Sequence, residues 1–428
     1  MIRATRWPPR ILAGLLALAW AVPVTAQEAE GPSATRQDTI PARPSLAGPN
    51  QVDNQLEEDV LLKEPLLEIG FLQPWSDFKA DLKESSGFGF GLDYTSLYFK
   101  GTESVGVDEA GSGNLRLFGS WELVGRESGN TGALVWKVEH RHGYTDVPLS
   151  GLGFQLGYVG LQGPPFSDAG LLLTNLYWRQ SLAKGRLVLV GGWVDATDYL
   201  DIYGLISPWL HFSNFAFGTG SATIPAPNQG LGLAAGIWAS DHVYVIGGFS
   251  DSNSDPTQPG DGFDSFFDQH EFFKHVEVGW TSSRDRAYLD NIHVTYWHAD
   301  ERVEANVPDG WGLNVSAAKF VQDRWLPFLR GGYAKDGGAL LETSISTGVG
   351  YLTGPGAHLV GLGLNWGRPS ESSFGPNLDD QFAVEAFLRI QLANQVAITP
   401  DIQFIVNPAL NADVSSLWLF GVRGRVNL

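Results

Sequence analysis

The sequence predicts an all-β fold: a transmembrane antiparallel β-barrel of sixteen strands, preceded by a short helix. Three observations predict it: an export signal at the start of the chain, segments of about ten residues that alternate between apolar and polar side chains, and no apolar run long enough for a transmembrane helix. A closed barrel is the strand-built structure that satisfies its backbone hydrogen bonds within a bilayer. Because a bacterial barrel needs an even number of strands, the segment count leaves eighteen as the alternative to sixteen.

The start of the chain has the pattern of a secretory signal peptide. Three arginines precede the apolar run 11–21, and the small residues Val24, Thr25 and Ala26 follow at the offset that signal peptidase requires. The apolar run is too short to cross a bilayer as a helix. Residues 1–26 are therefore predicted to be a signal peptide that is removed on export.

Charge and composition exclude several classes of function. The 428 residues carry a formal net charge of -19 and contain no cysteine. Such an acidic chain is a poor partner for nucleic acid, and its stability cannot come from disulfides. The 52 glycines and the aromatic content of 12% are typical of one uniform strand-rich unit. We predict no cofactor.

Residues 27–73 differ from the rest of the chain. They contain five prolines and few aromatic residues, and they carry the acidic cluster Glu57, Glu58 and Asp59. This composition favours a disordered or loosely helical extension on the periplasmic side. The barrel is assigned to residues 74–428.

A short amphipathic helix is predicted over residues 74–87, directly before the first strand. Trp75, Phe78 and Leu82 share one side of it at helical spacing. Pro74 stands at an early helical position, where its missing N–H costs no hydrogen bond.

The alternation is clearest in two segments near the end of the chain. In residues 381–392 the even-numbered positions are all apolar, whereas Glu385 and Arg389 occupy odd-numbered ones. In the last segment, 416–428, Arg423 and Arg425 oppose an apolar face, so this segment is predicted to close the barrel. The weakest strand candidate is the glycine-rich segment 153–161.

A soluble β-sandwich would show the same alternation, because its sheets also bury one face. The export signal, the strand length and the tryptophans near the ends of apolar segments favour the barrel, where such side chains form interfacial girdles. These tryptophans are Trp121, Trp178, Trp238, Trp280, Trp366 and Trp418. At sixteen strands the lumen is expected to be a water-filled channel.

Several segments resemble one family of outer-membrane proteins. They are QPWSDFKADL at 73–82, GFGLDYT at 89–95, the strand text at 176–182 and 187–201, AITPDIQFIVNP at 397–408, and the final strand. In these segments the chain resembles the carbohydrate-selective, OprB-type porins. The resemblance implies a sixteen-stranded channel, without enzymatic activity, for passive diffusion of mono- or oligosaccharides through the outer membrane of a Gram-negative bacterium into the periplasm.

A sugar pore needs polar side chains that replace the water bound to hydroxyl groups, and opposed charges that hold each other in place. The charged residues that alternate toward the lumen are candidates for pore lining and substrate contact, although each could instead be a solvated wall residue. They are Arg116, Lys137, Glu139, Arg141, Arg179, Glu277, Glu385, Arg389, Arg423 and Arg425.

The segment 195–229 is too long and too aromatic for an ordinary connection between strands. We predict that it folds into the barrel and forms part of the constriction. A loop that caps the rim or packs between protomers is the alternative. Its aromatic candidates, whose faces could stack on sugar rings, are Tyr199, Tyr203, Trp209, Phe212, Phe215 and Phe217.

A calcium loop is suggested weakly by Asp251, Asn253 and Asp255, which have the first three ligand spacings of an EF-hand. The sixth position is Pro256 where glycine is wanted, and the twelfth is Gly262 where a glutamate belongs. The sequence therefore predicts no specific metal site here, and an acidic outer loop is the preferred interpretation.

The sequence also leaves two other functions open. A general or ion-preferring porin would share the same strand pattern, and an outer-membrane barrel hydrolase acting on lipid would need a nucleophile beside a histidine. His140, His142, His293 and His298 lie near strand ends, but the sequence has neither a Gly-x-Ser-x-Gly elbow nor a His-Glu-x-x-His pair. The expected partners are outer-membrane lipid and small neutral sugars, with a homotrimer and a monomer both possible.

Overall fold

The computed structural model describes residues 46–60, 66–67, 70–353 and 358–428. The predicted signal peptide and residues 27–45 lie outside the described residues. Sixteen antiparallel strands, each paired with its sequence neighbours, close into one barrel through β1 and β16. The strands are β1 Phe88–Gly101, β2 Glu109–Val124, β3 Gly132–Gly143, β4 Gly170–Leu182, β5 Leu187–Val194, β6 Gly230–Trp238, β7 Val243–Asp251, β8 Phe272–Thr281, β9 Asn291–Ala299, β10 Gly310–Ala318, β11 Trp325–Asp336, β12 Leu341–Thr353, β13 His358–Pro369, β14 Gln381–Ala393, β15 Val396–Val406 and β16 Ser416–Asn427.

The helices of the described residues are short. They are α1 Val52–Val60, α2 Gln73–Ser86, α3 Leu152–Gln155, α4 Gly262–Asp264 and α5 Glu371–Phe374, with a π-helical turn at Ser265–Gln269 and single 3-10 turns at Gly70–Leu72, Leu149–Gly151, Ala196–Asp198, Phe215–Phe217 and Thr219–Ala222. Within the described part of the chain, no helix combines the length and the apolarity that a membrane crossing requires.

The two faces of the barrel wall confirm the predicted alternation and the sixteen-strand fold. In β16, Trp418, Phe420 and Val422 point outward and are about half exposed, whereas Arg423 and Arg425 point inward and are buried. An outer face of apolar side chains suits the acyl chains of a bilayer. Leu419, the apolar exception in this strand, is fully buried and packs against the side chains inside the barrel.

The connections between strands differ in length at the two ends of the barrel. At one end, called here the short-turn end, strands are joined by tight turns such as 125–131, 183–186 and 239–242. The opposite, long-loop end carries the connections 144–169 and 195–229, among others. This asymmetry is typical of outer-membrane barrels, whose turns are short on the periplasmic side.

Three inward segments fill much of the lumen: residues 46–60, the β3–β4 loop 144–169 and the β5–β6 loop 195–229. Most of their side chains are buried against the inner wall. Apolar clusters form between loop and wall, for example around Phe212 and Phe328. The lumen is therefore narrower than the strand count alone predicts, because the chain's own inward segments occupy part of it. Whether water fills the remaining space stays a prediction.

Two local predictions also need correction. The segment 153–161, the weakest strand candidate, belongs to the β3–β4 loop and contains part of α3 rather than a strand. Trp238 does not lie in an interfacial girdle: it points inward, is 2% exposed and packs against Tyr244 and Leu46. Trp238 is covered by Leu46 of the inward segment 46–60, and residues 153–161 belong to an inward loop that packs against the wall. Neither contact is visible in the local pattern.

The predicted helix before the first strand is confirmed as α2. Gly87 ends it in the left-handed conformation, with φ of 75°, and donates its N–H to the carbonyl of Lys83. The Arg126 guanidinium donates to the carbonyl of Ser85 at 3.2 Å. The ring of Trp75 packs edge-on against Phe90 of β1 with their centroids 5.6 Å apart, which holds the helix against the barrel.

Candidate functional site

The candidate site is the lumen, where the inward segments meet the charged wall. The structure places all ten predicted pore-lining side chains on the inner face of the barrel. Seven of them are buried beneath the inward segments: Arg116, Lys137, Glu139, Glu277, Glu385, Arg423 and Arg425. Arg141, Arg179 and Arg389 are half-buried. The buried members contact protein groups, and these contacts define what each one does.

Glu385 of β14 holds the backbone of the β5–β6 loop. Its Oε1 accepts the N–H of Ser213 at 2.6 Å and the Ser213 hydroxyl at 3.0 Å, and its Oε2 accepts the N–H of Asn214 at 3.0 Å. A carboxylate that receives several backbone donors fixes a loop firmly, because charge-assisted hydrogen bonds are the stronger ones. Glu385 is therefore a loop anchor.

Arg330 of β11, three strands away in the barrel wall, anchors the same loop at other residues. Its guanidinium pairs with Asp201 and donates to the carbonyls of Phe217 at 3.2 Å and Gly218 at 2.8 Å. It also lies over the ring of Tyr203, 4.2 Å from the centroid. One buried cation thus ties two distant parts of the loop to the wall.

Asp201 is the loop residue on which Arg330, His293 and Glu277 converge. These four residues are called the Asp201 clamp. His293 of β9 approaches its Oδ1 with Nε2 at 3.0 Å, and Glu277 of β8 accepts the Asp201 N–H at 2.7 Å. Burial raises the pKa of Asp201, but Arg330 and His293 outweigh that effect, so its pKa lies below the usual value. Asp201 therefore stays ionised at neutral pH, and the clamp keeps its charge.

The last strands hold the middle of the loop and join it to the β3–β4 loop. Arg423 donates to the carbonyls of Pro208 at 2.7 Å and His211 at 2.6 Å. Gln403 exchanges hydrogen bonds with Gln162, at 3.0 and 2.8 Å, and donates to the Ser213 hydroxyl at 3.0 Å, so it connects the two loops. Burial, together with the nearby arginines, holds the pKa of His211 well below its usual value, so its ring is neutral.

Arg116 and Arg425 meet at the seam where the barrel closes. Both pair with the buried carboxylate of Asp93 in β1, Arg116 at 3.0 Å. Arg116 also donates to Oε1 of Gln55 at 3.1 Å and lies over the ring of Trp209, 4.2 Å from its centroid. The seam, the N-terminal segment and the β5–β6 loop therefore share one cation.

The charged side chains of β3 also pair with protein groups inside the barrel. Lys137 pairs with Asp198 of the β5–β6 loop at 3.6 Å. Glu139 pairs with Arg141 at 2.8 Å and accepts the side-chain amide of Asn114 at 3.0 Å. Burial raises the pKa of Asp198 to about 7, although the ammonium of Lys137 opposes the shift.

The model of the family described as carbohydrate-selective porin, OprB family, matches residues 75–337 and 345–428. The chain belongs to this family. No curated protein sequence matches it. The predicted resemblance is thus confirmed, and it extends over most of the barrel.

Solved structures of porins share the fold of this OprB-family chain. The high-pH structure of Pseudomonas putida OprB has a TM-score of 0.67 and 14% identity, and the match covers 86% of this chain and 99% of that one. A triple mutant of the Rhodopseudomonas blastica porin has a TM-score of 0.51 and 14% identity, with 80% and 100% covered. At such identity the likeness shows the fold alone.

The aromatic side chains of the β5–β6 loop serve mainly to pack this porin's interior. Four of the six predicted stacking candidates, Tyr203, Trp209, Phe212 and Phe217, are almost fully buried, and Tyr199 and Phe215 are half-buried. The rings of Phe212 and Phe217 contact each other with centroids 4.6 Å apart. The predicted inward course of the loop is what the structure shows. A buried ring, however, offers no face to a passing sugar.

Sequence reasoning missed Asp93, Asp201, Arg330 and Gln403 as functional residues. Asp93 and Arg330 stand at inward positions of alternating strands, so the same period-two pattern could have found them. Asp201 lies in a loop, where no periodicity applies. Its importance appears only through its spatial neighbours.

The weak calcium candidate is not supported by the loop geometry. Both oxygens of Asp251 are occupied within the loop, Oδ1 by the N–H of Asn253 at 2.9 Å and Oδ2 by the hydroxyls of Ser254 and Ser265. Oδ1 of Asp255 accepts from Thr257. Among the described residues, no group of three or more His, Asp or Glu side chains is placed to hold a metal ion.

Chelation of divalent cations is therefore expected to leave this loop and the barrel unchanged. We expect addition of EDTA to the detergent-solubilised protein to shift the thermal unfolding midpoint by less than about 2 °C, since nothing that binds only the folded state is removed. Thermal unfolding followed by circular dichroism checks this. A larger drop that calcium reverses and magnesium does not would contradict it.

The four histidines considered for a lipid hydrolase are not brought together. His140 and His142 lie on the outer face of β3 with their Nδ1 atoms 3.4 Å apart, and His298 lies beside Asp300. His293 points inward and is engaged by Asp201. The pair His140 and His142, the inward His293 and the outward His298 thus lie at three separate places.

Proposed function

We propose that this OprB-family porin carries small neutral carbohydrates, mono- or oligosaccharides, by passive diffusion across the outer membrane of a Gram-negative bacterium into the periplasm. One observation carries the proposal: a closed sixteen-stranded barrel, apolar outside and rich in hydrogen-bonding groups inside, in a chain of a carbohydrate-selective family. Such a wall can replace the water lost by sugar hydroxyls. The short-turn end would face the periplasm.

The half-buried wall arginines are the best candidates for contact with the sugar. Of the ten predicted lumen residues, Arg141, Arg179 and Arg389 keep part of their surface open, together with Tyr199 and Phe215 of the β5–β6 loop. Five of the seven buried ones contact the inward segments that narrow the lumen, and Glu139 and Arg425 pair with residues of the wall. Selection among solutes would then depend on the shape of the remaining passage as much as on direct contact between wall side chains and the sugar.

The proposal includes a passive role and no catalytic one. A hydrolase acting on lipid would need its histidine, an activated nucleophile and a lipid-accessible cleft in one place. The inward His293 is held in the Asp201 clamp, away from the outward His140 and His142. A general or ion-preferring porin is the outcome to be tested against the sugar porin.

Liposome swelling distinguishes a sugar porin from a general one. Vesicles containing the purified protein are expected to swell faster in D-glucose than in tetraethylene glycol, a neutral non-sugar of similar mass, by roughly threefold or more, as expected for one or two net hydrogen bonds to the wall. In planar bilayers, maltose is expected to reduce the ion current. Equal swelling rates with an unaffected current would instead identify a general porin.

A further inference from the structure

The N-terminal segment 46–60 lies inside the barrel at its short-turn end. Val52, Asn54, Gln55 and Leu56 are at most 6% exposed, although two of these four side chains are polar. Helix α1 contacts the inner wall formed by β1, β2 and β3. A segment that served only as a tether to upstream residues would not need to bury its side chains in the lumen.

Apolar anchors fix α1 to the wall. Val52 and Leu56 stand one helical turn apart and join a cluster with Phe118 of β2, Val135 of β3 and Tyr177 of β4. Side chains four residues apart share one face of a helix. Burial of this face removes apolar surface of both helix and wall from water, which is the main favourable contribution to such docking.

Polar contacts also fix the segment to the inner wall and to the β5–β6 loop. Asp53 pairs with Arg179 of β4, and Gln55 accepts a hydrogen bond from Arg116 at 3.1 Å. The N–H of Gly48 donates to the carbonyl of Asp198, at 2.8 Å, in the β5–β6 loop. The segment thus contacts two cations of the wall and the loop at once.

One cavity of about 400 Å³ remains beside the segment at this end. Thr131 and Lys184, which belong to short turns, line it, so it opens at the short-turn end. Ligand pockets span about 300–1,000 Å³, so the cavity is large enough for a small sugar. The N-terminal segment therefore borders a cavity of ligand size at this end of the barrel.

The lining of this exit cavity combines apolar and polar groups. Val188, Val190 and Ala234 of β5 and β6 supply apolar lining. Asp53 of the segment and Arg179 of β4, which stands beside Val190, supply polar lining. A pyranose ring has an apolar C–H face and a rim of hydroxyls, and a site of this kind matches both.

We propose that the segment 46–60 is a functional part of the channel: it narrows the exit to a binding site for a mono- or disaccharide and contributes Asp53 to the polar lining of that site. This inference rests on the proposed function, since it assigns a binding site to the transported sugar. The apolar lining contacts the ring, and the segment orients the hydroxyls. Without the segment the exit is wide and binds no sugar.

Displacing the segment from the wall tests this. We replace Val52→Asp and Leu56→Asp together, which puts two charges against the apolar cluster and changes no strand. The matched control is Val303→Asp, which makes the same chemical change at an exposed position of the β9–β10 loop. A second variant, Asp53→Ala, keeps the apolar anchors and removes one polar group of the site.

Single-channel current in salt, with and without D-glucose or maltose, is the readout. In the double variant the conductance is expected to rise by roughly twofold or more, because a wider exit conducts better. The sugar concentration that halves the current is expected to rise by about fivefold, and by about threefold in Asp53→Ala, as for the loss of one or two net hydrogen bonds. The control is expected to match the parent.

Each outcome decides a different point. If sugar blocks the parent and the double variant equally, the segment contributes nothing to binding and the inference is wrong while the porin assignment stands. An unchanged conductance in a variant that folds would show that the segment does not narrow the exit. If no sugar affects even the parent channel, both the exit site and the carbohydrate function are overturned.

Discussion

Replacing Arg330 by alanine is expected to destabilise the folded barrel by about 3–5 kcal/mol. Arg330 is 2% exposed and is the cation that faces Asp201 and the carbonyls of Phe217 and Gly218. Its removal leaves a buried carboxylate and two carbonyls without this donor, and a buried charge that loses its partner is costly. Urea unfolding in lipid vesicles, followed by tryptophan fluorescence, measures the change.

The control for Arg330 is Arg368→Ala. Arg368 also pairs with an aspartate, Asp380 at 3.1 Å, but both side chains are more than a third exposed. Exposed pairs contribute little, so we expect a change below about 1 kcal/mol. Because the clamp holds the β5–β6 loop, the Arg330 variant is also expected to give a noisier single-channel current. Equal, small effects of the two substitutions would show that the loop does not depend on the clamp.

The strand architecture could be predicted from the sequence because lipid imposes one simple rule. A side chain that faces acyl chains must be apolar, and the next one faces inward, so the pattern of 381–392 translates directly into β14. The same rule placed Arg423 and Arg425 inside the barrel, where the structure has them. Each of these inferences needs only neighbours in the sequence.

The role of an inward side chain could not be predicted in this way. Alternation shows that Glu385 points into the lumen, but not whether it meets water, sugar or protein. Its partners Ser213 and Asn214 lie far earlier in the chain, in a loop without periodicity. The prediction of substrate contact for Glu385 stays untested, and its hydrogen bonds to the backbone of Ser213 and Asn214 support a structural role.

The stability of the N-terminal segment could not be predicted from its local sequence either. Residues 46–60 belong to a stretch whose prolines and acidic residues predict disorder or loose helix. The apolar face that stabilises α1 consists of little more than Val52 and Leu56, which is too short a signal to read locally. The helix gains its stability from a wall that is assembled elsewhere in the chain.

Placing an arginine on the outer face is expected to have the second large effect. Val294 lies near the middle of β9, is 45% exposed, and stands between Val278 and Val315 of the neighbouring strands. In Val294→Arg a charge would have to enter the hydrocarbon near its midplane, which costs about 2–4 kcal/mol in a membrane barrel. The measurement is urea unfolding in phospholipid vesicles.

The exposed loop residue Val303 supplies the comparison, since Val303→Arg adds the same charge in water and is expected to change stability by less than about 0.5 kcal/mol. The contrast between the two positions depends on the solvent outside the barrel and not on the β-sheet, because neither valine packs in the lumen. If Val294→Arg were as mild as Val303→Arg, protein or water would cover this face of β9. The apolar outer wall would then need another explanation than lipid.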